Sequence, residues 1–195
     1  MSGKANETIS LFISKLSETT GYKYLKSSKS LKKTIGQIVF EVIFFSSKWN
    51  DDNNIEINAD FRVSYKKYGA TSSIHSIVAS KGFQSGKEYW YDISSKDNFE
   101  ETLKYFEMEL QTTAVDLSNR FDKDFKDACQ YLLEEKFSEY HVFFDFLIDV
   151  LGEESQTSFN LSLVHLIHSF QLPGIQSLMI SRLLIICNRT LITAS

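Results

Sequence analysis

The sequence predicts an α+β fold: an N-terminal helix, an antiparallel meander of about four strands, a long helix packed on the sheet, and a C-terminal helical extension. Three observations carry this. Residues 55–65 alternate strictly between apolar and polar side chains, which describes a strand with one dry face and one wet face. Residues 6–19 and the segment after Asp97 instead space their apolar residues at helical intervals. Strand-like and helix-like segments also come in blocks, which is the order of an α+β chain and not of βαβ units.

In chain order, Ile9, Phe12, Ile13 and Leu16 give the first helix its apolar stripe, and Gly21 stands where a left-handed turn would end it. The stretch GYKYLKSSKSLKK follows, and its three serines and short distance to the next strand favour a loop or an edge strand. Residues 36–50, GQIVFEVIFFSSKWN, are rich in β-branched and aromatic side chains and read as a strand. The polar run NDDNN joins it as a hairpin loop to the alternating strand, whose Ile55, Ile57, Ala59, Phe61, Val63 and Tyr65 take one face. Two further strands are expected near residues 73–80 and 88–94, separated by a turn containing Gly82 and Gly86. Asp97 followed by Glu100 fits an acidic capping box, and Phe99, Leu103, Phe106, Leu110, Leu117 and Phe121 form the stripe of the long helix after it. Beyond Asp124 the pattern reads as helices only, near residues 127–151, 159–171 and 175–188, with breaks at Gly152 and Pro173-Gly174. The expected organisation is an α+β domain over residues 1–123 and a helical subdomain over residues 124–195.

With 195 residues, 43% of them hydrophobic, the chain can bury a substantial core. Its single proline, Pro173, and 14% aromatic content set it apart from linker-rich or disordered chains. The net charge of -4 argues against a nucleic-acid coat, which needs a basic surface. That total hides an asymmetry, because residues 1–90 carry 13 basic against 8 acidic groups and residues 91–195 carry 8 against 17. Cys129 and Cys187 make no disulfide framework, which points to a reducing, cytoplasmic setting. The opening MSGKANETISLF holds no apolar run of signal-peptide length, and residues 175–187 are too short to span a bilayer and include Arg182.

Candidate chemistry is sparse. Among Lys23, Lys26, Lys29, Lys32 and Lys33, a helix would gather Lys23, Lys26 and Lys29 along a drifting stripe, whereas a strand would split the set between two faces. The solvated edge is the preferred reading, with anion contact as the rival. His165 and His168 share a helix face and would supply two metal ligands, with His141, Asp145 or Asp149 as candidate thirds, but nothing in the spacing selects one. No metal or other cofactor is therefore expected. NDDNN is oxygen-rich but lacks the glycine and distal glutamate of a calcium loop. The nucleotide-binding, nucleophile-elbow and zinc-peptidase patterns do not occur. Glu100, Glu101, Glu107 and Asp116 are expected to face solvent, and Cys129, beside Ala128 and near Leu132, to be a small core residue.

Gly21-Tyr22-Lys23 after the first helix, the strand ending Ser46-Ser47-Lys48-Trp49-Asn50, and Tyr89-Trp90-Tyr91 leading into the acidic long helix resemble a group of bacterial proteins classed only as a domain of unknown function. The resemblance covers about residues 9–121 and departs at the helical extension after Asp124. It implies an α+β fold, and it brings no activity, cofactor or functional residue with it.

Three functional readings follow. The leading one is a non-enzymatic protein-binding module of a bacterial cytoplasm, an immunity or antitoxin-like protein that blocks a partner. The carboxylates after Tyr91 would steer a basic partner to it. The second is a small enzyme with a dispersed site between sheet and helices, for which His75, Asp92 and His141 are the residues to watch. The third is a homo-oligomeric module whose apolar C-terminal helices form the contact. Neither membrane nor nucleic acid is an expected partner.

Overall fold

A computed structural model describes residues 3–66, 77–83, 90–134 and 141–142. The chain divides into two units, Met1–Leu151 and Gly152–Ser195, and every described residue lies in the first. The expected helices at residues 159–171 and 175–188, with His165 and His168, lie outside the described residues, as do His75, Asp145 and Asp149.

The first helix, α1 (Gly3–Thr20), buries Ala5, Ile9, Phe12, Ile13, Leu16 and Thr20 along one stripe. Thr20 donates its hydroxyl to the Leu16 carbonyl, and Gly21, at φ 70°, turns the chain out of the helix while its amide bonds to the Ser17 carbonyl. A left-handed residue at this position suits glycine because a side chain would strain the backbone at positive φ, although the space around it is open. The lysine-rich stretch then forms an edge hairpin, β1 (Lys23–Leu25) and β2 (Ser30–Ile35). After Gly36, at φ 55°, come β3 (Ile38–Ser46) and β4 (Glu56–Tyr65), joined by the NDDNN loop. The remaining strands are β5 (Ile77–Gly82), β6 (Tyr91–Asp92) and β7 (His141–Val142).

All pairings are antiparallel, in the order β1-β2-β3-β4-β5-β7, with β6 beside the start of β4. The sheet therefore has more strands than the four expected. The additional ones are β1 and β2, formed by the lysine-rich stretch, and β7. The last is a two-residue strand within the segment expected to be helical over residues 127–151, of which the described helix is Phe125–Glu134. Both β1 and β7 are too short to show a period of two in the sequence. The alternation in β4 appears directly as burial: Ile57, Ala59, Phe61 and Val63 are fully buried. Opposite them in register stand Ser46, Phe44, Val42 and Phe40.

Two helical segments cover that face, the first being α1, whose Phe12 meets Phe44. The second begins with α2 (Lys96–Leu110), continues through a five-residue π-helical turn, Gln111–Val115, into α3 (Asp116–Lys123), and is followed by α4 (Phe125–Glu134). Phe106 is the hub, with ring centroids at 5.6 Å from Phe12, 6.0 Å from Phe44, 5.5 Å from Phe83 and 5.0 Å from Tyr91. Phe121 meets Phe40 edge-on at 5.5 Å. Burying each such ring stabilises the fold by about 1.5–3 kcal/mol, and edge-to-face pairing adds to that.

Two expectations for the long helix need correction. Its N-cap is Ser95, whose hydroxyl accepts the Asn98 amide, while Asp97 lies in the first turn. The serine wins because its short side chain, on extended backbone, reaches the free amide three residues on. The buried stripe in α2 is Thr102, Phe106 and Leu110, with Phe99 and Leu103 only half-buried. The π turn then brings Leu117 and Phe121 back onto the same face by accommodating an extra residue.

Candidate partner-binding loop

The loop between β3 and β4 is held by its own polar side chains. Asn50, almost fully buried, donates Nδ2 to the Glu56 carbonyl at 2.9 Å and accepts the Glu56 amide on Oδ1 at 2.9 Å. It thus takes the place of a paired strand residue. The Glu56 carbonyl also accepts the Ser47 amide, and the Ser47 hydroxyl accepts the Trp49 amide at 3.3 Å. Farther along, Asp51 Oδ1 accepts the amides of Asn53 at 2.7 Å and Asn54 at 2.9 Å. Those two amides, with a smaller contribution from Lys4, hold its carboxyl below the ordinary range against a slight opposing effect of desolvation. NDDNN is therefore a closed polar turn. Lys4 of α1 donates to the Asp52 carbonyl, and the Ile93 amide bonds to the Ile55 carbonyl, so neighbouring elements tie down both sides of the loop.

What this pinned loop presents is Trp49. Its side chain is 73% exposed, and Lys48 Nζ lies over its ring at 4.9 Å from the centroid. A large apolar ring on a stiff turn loses little conformational freedom when a partner covers it, which is the property of an interface anchor. In the sequence Trp49 reads as the end of a strand and Asn50 as the start of the polar loop. The available signal was a Trp-Asn pair directly before a polar turn.

The lysines divide as a strand requires. Lys23 and Lys32 are cross-strand neighbours on the outer face, Lys26 is exposed in the turn, and Lys29 sits at φ 49° within 3.3 Å of Asn6 Oδ1. Lys33 turns inward beneath α3, with Nζ at 3.2 Å from Ser118 Oγ and 3.4 Å from Asn119 Oδ1.

The carboxylates weighed for catalysis serve local structure. Asp92 is taken up by the turn that starts α2: one oxygen accepts the Ser94 amide and hydroxyl, and the other accepts Asn98 Nδ2. Desolvation pulls its pKa upward, and these donors together outweigh it, so the carboxyl lies below the ordinary value. Glu100 is 3.9 Å from Lys96 on an exposed face, and Glu101 is exposed. Asp116 accepts Arg120 Nε at 3.0 Å, and the Arg120 guanidinium lies 3.7 Å from the centre of the Tyr131 ring. Cys129 is fully buried, and burial pushes its thiol up to about 12, which suits a core residue and not a nucleophile.

Among the described residues, no three His, Cys, Asp or Glu side chains come together to hold a metal ion, and no helix is long and apolar enough to cross a membrane. His141 falls in β7, opposite Ser80. No family model, curated protein or solved structure matches the chain.

Proposed function

We propose that this protein is a non-catalytic protein-binding module of the immunity or antitoxin kind, which blocks its partner by docking through the Trp49 loop. The observation that carries this reading is the exposure of Trp49 on a turn braced by Asn50 and Ser47. An exposed indole on a flexible loop would be ordinary surface, whereas one on a hydrogen-bonded scaffold is already arranged for contact. The exposed carboxylates of α2, Asp97, Glu100 and Glu101, support long-range steering of a basic partner.

Affinity purification of the whole chain from its native host tests the reading. Recovery of one protein in equal amount, released by salt and lost with Trp49→Ala, is the expected result. Recovery of the chain alone at low salt, or equal recovery with the Trp49→Ala variant, would overturn it.

A further inference from the structure

The β1 edge differs from the rest of the described sheet in charge, in register and in its backbone. Residues 19–40 hold Lys23, Lys26, Lys29, Lys32 and Lys33 and no acidic residue. The register runs Lys23–Lys32–Glu41–Arg62, so Lys32 has Glu41 opposite it on β3, whereas Lys23, at the end of the row, has only Lys32. Opposite charges across a ladder are favourable and like charges are not, so the edge carries a repulsion that the neighbouring strands avoid. Among the described residues, Lys23, Lys26, Lys32 and Lys33 make no ion pair that would relieve it.

The backbone supplies the third difference. The bond from the Phe44 amide to the Lys29 carbonyl marks those two residues as a hydrogen-bonded pair. Alternation along an antiparallel ladder then directs the backbone groups of Leu31, Lys33 and Ile35 toward β3, and those of Ser30, Lys32 and Thr34 away from it. Leu25 and Lys23 of β1 meet Ser30 and Lys32. Among the described strands, this leaves Tyr24 on β1 and Thr34 on β2 directing their amide and carbonyl to the open edge.

We propose that this edge receives an acidic extended segment of another protein, which pairs along Tyr24 and sets carboxylates beside Lys23 and Lys26. Such a strand would continue the outer-face row and give Lys23 the opposite-charge neighbour that the chain itself withholds. A second copy of the same edge would bring lysines against lysines, so the lysines that repel self-pairing also select the guest. A nucleic acid fits less well, because β1, three residues long, spans only about 10 Å and meets few phosphates, on a chain of net charge -4. The proposal goes beyond the Trp49 reading and is separable from it, because Trp49 lies in a different loop.

The test uses the full chain and a fluorescent octapeptide of alternating Glu and Val, followed by anisotropy at low salt. Controls are the Lys-Val counterpart, the Glu-Val peptide with methylated backbone nitrogens, and an oligothymidylate of the same length. The Glu-Val peptide is expected to bind best, and Lys23→Glu is expected to weaken it by about tenfold or more. The same substitution is expected to raise the denaturation midpoint, since the substituted carboxylate would face Lys32, and this also verifies folding. Trp49→Ala should leave peptide affinity unchanged. The proposal is overturned if the Glu-Val peptide does not bind, or if Lys23→Glu leaves its affinity intact. Equal binding of the methylated peptide or of the oligothymidylate also overturns it, by reducing the effect to bulk charge.

Discussion

The phenolic hydroxyl of Tyr22 donates to the main-chain carbonyl of Ala114 at 2.8 Å, joining the end of α1 to the π turn between α2 and α3 across 92 residues. A π turn widens the helical ladder and leaves carbonyls poorly placed for their usual amides. Tyr22, itself almost fully buried, supplies a donor to a carbonyl of that turn, on the fully buried Ala114. Tyr22→Phe removes that donor from a buried carbonyl and is expected to cost about 1–2 kcal/mol. Urea denaturation checks this: the midpoint should fall with little change in slope, and an unchanged midpoint would show that the hydroxyl contributes nothing.

Phe106 joins α1 and the sheet through Phe12, Phe44, Phe83 and Tyr91. Phe106→Ala should destabilise the fold by about 3–5 kcal/mol, because four packed rings cannot all collapse into the space. Phe106→Leu should cost clearly less, and thermal melts of the two variants would give the order.

Asn50 makes the loop what it is. Asn50→Ala removes both bonds to the Glu56 backbone and is expected to cost about 1–3 kcal/mol, since the Glu56 amide loses its acceptor. Hydrogen exchange at the Glu56 amide should accelerate in step. If the partner contact at Trp49 depends on a stiff loop, affinity should drop even though the indole is intact.

Stability should be lost at both ends of the pH scale. At the alkaline end, burial raises the Tyr22 phenol, with the Ser118 hydroxyl pulling slightly the other way, and raises the Cys129 thiol from 9.0 to about 12. The folded state thus holds protons that the unfolded chain releases, and stability falls as pH rises above about 9. Cys129→Ala should delay the onset of that fall. At the acidic end, desolvation raises the Asp92 carboxyl but its Ser94 and Asn98 donors lower it further, leaving it below 3.8. Its contribution is complete above that value and is lost as pH falls through the lower, folded one. Asp92→Asn should flatten the acid limb of a denaturation midpoint plotted against pH.

Much of the fold could be read along the chain. The alternation in residues 55–65 named the buried face of β4 correctly, and Ile9, Phe12, Ile13 and Leu16 named that of α1. Cys129 is a core residue, as its neighbours implied. The cap of α2 was misplaced by two residues, since Asp97 and Ser95 are both good caps and only the backbone at Ser95 is extended. The lysine spacing alone did not choose between a drifting helix stripe and a split strand, and it was the serines and the short distance to the next strand that favoured a loop or edge strand. The pairing of β1 with β2 at the sheet edge agrees with that reading.

Periodicity is a local property, so the order of side chains along the backbone was enough to assign α1, the long helix and the dry face of β4. The rest depends on which distant segments meet. That Lys23 lies across from Lys32, that Tyr22 reaches the carbonyl of Ala114, and that Asn50 folds back on Glu56 while Trp49 remains in water are outcomes of pairing and packing. No window along the chain contains them, because each is set by long-range contacts whose free energy appears only once sheet and helices close on one another.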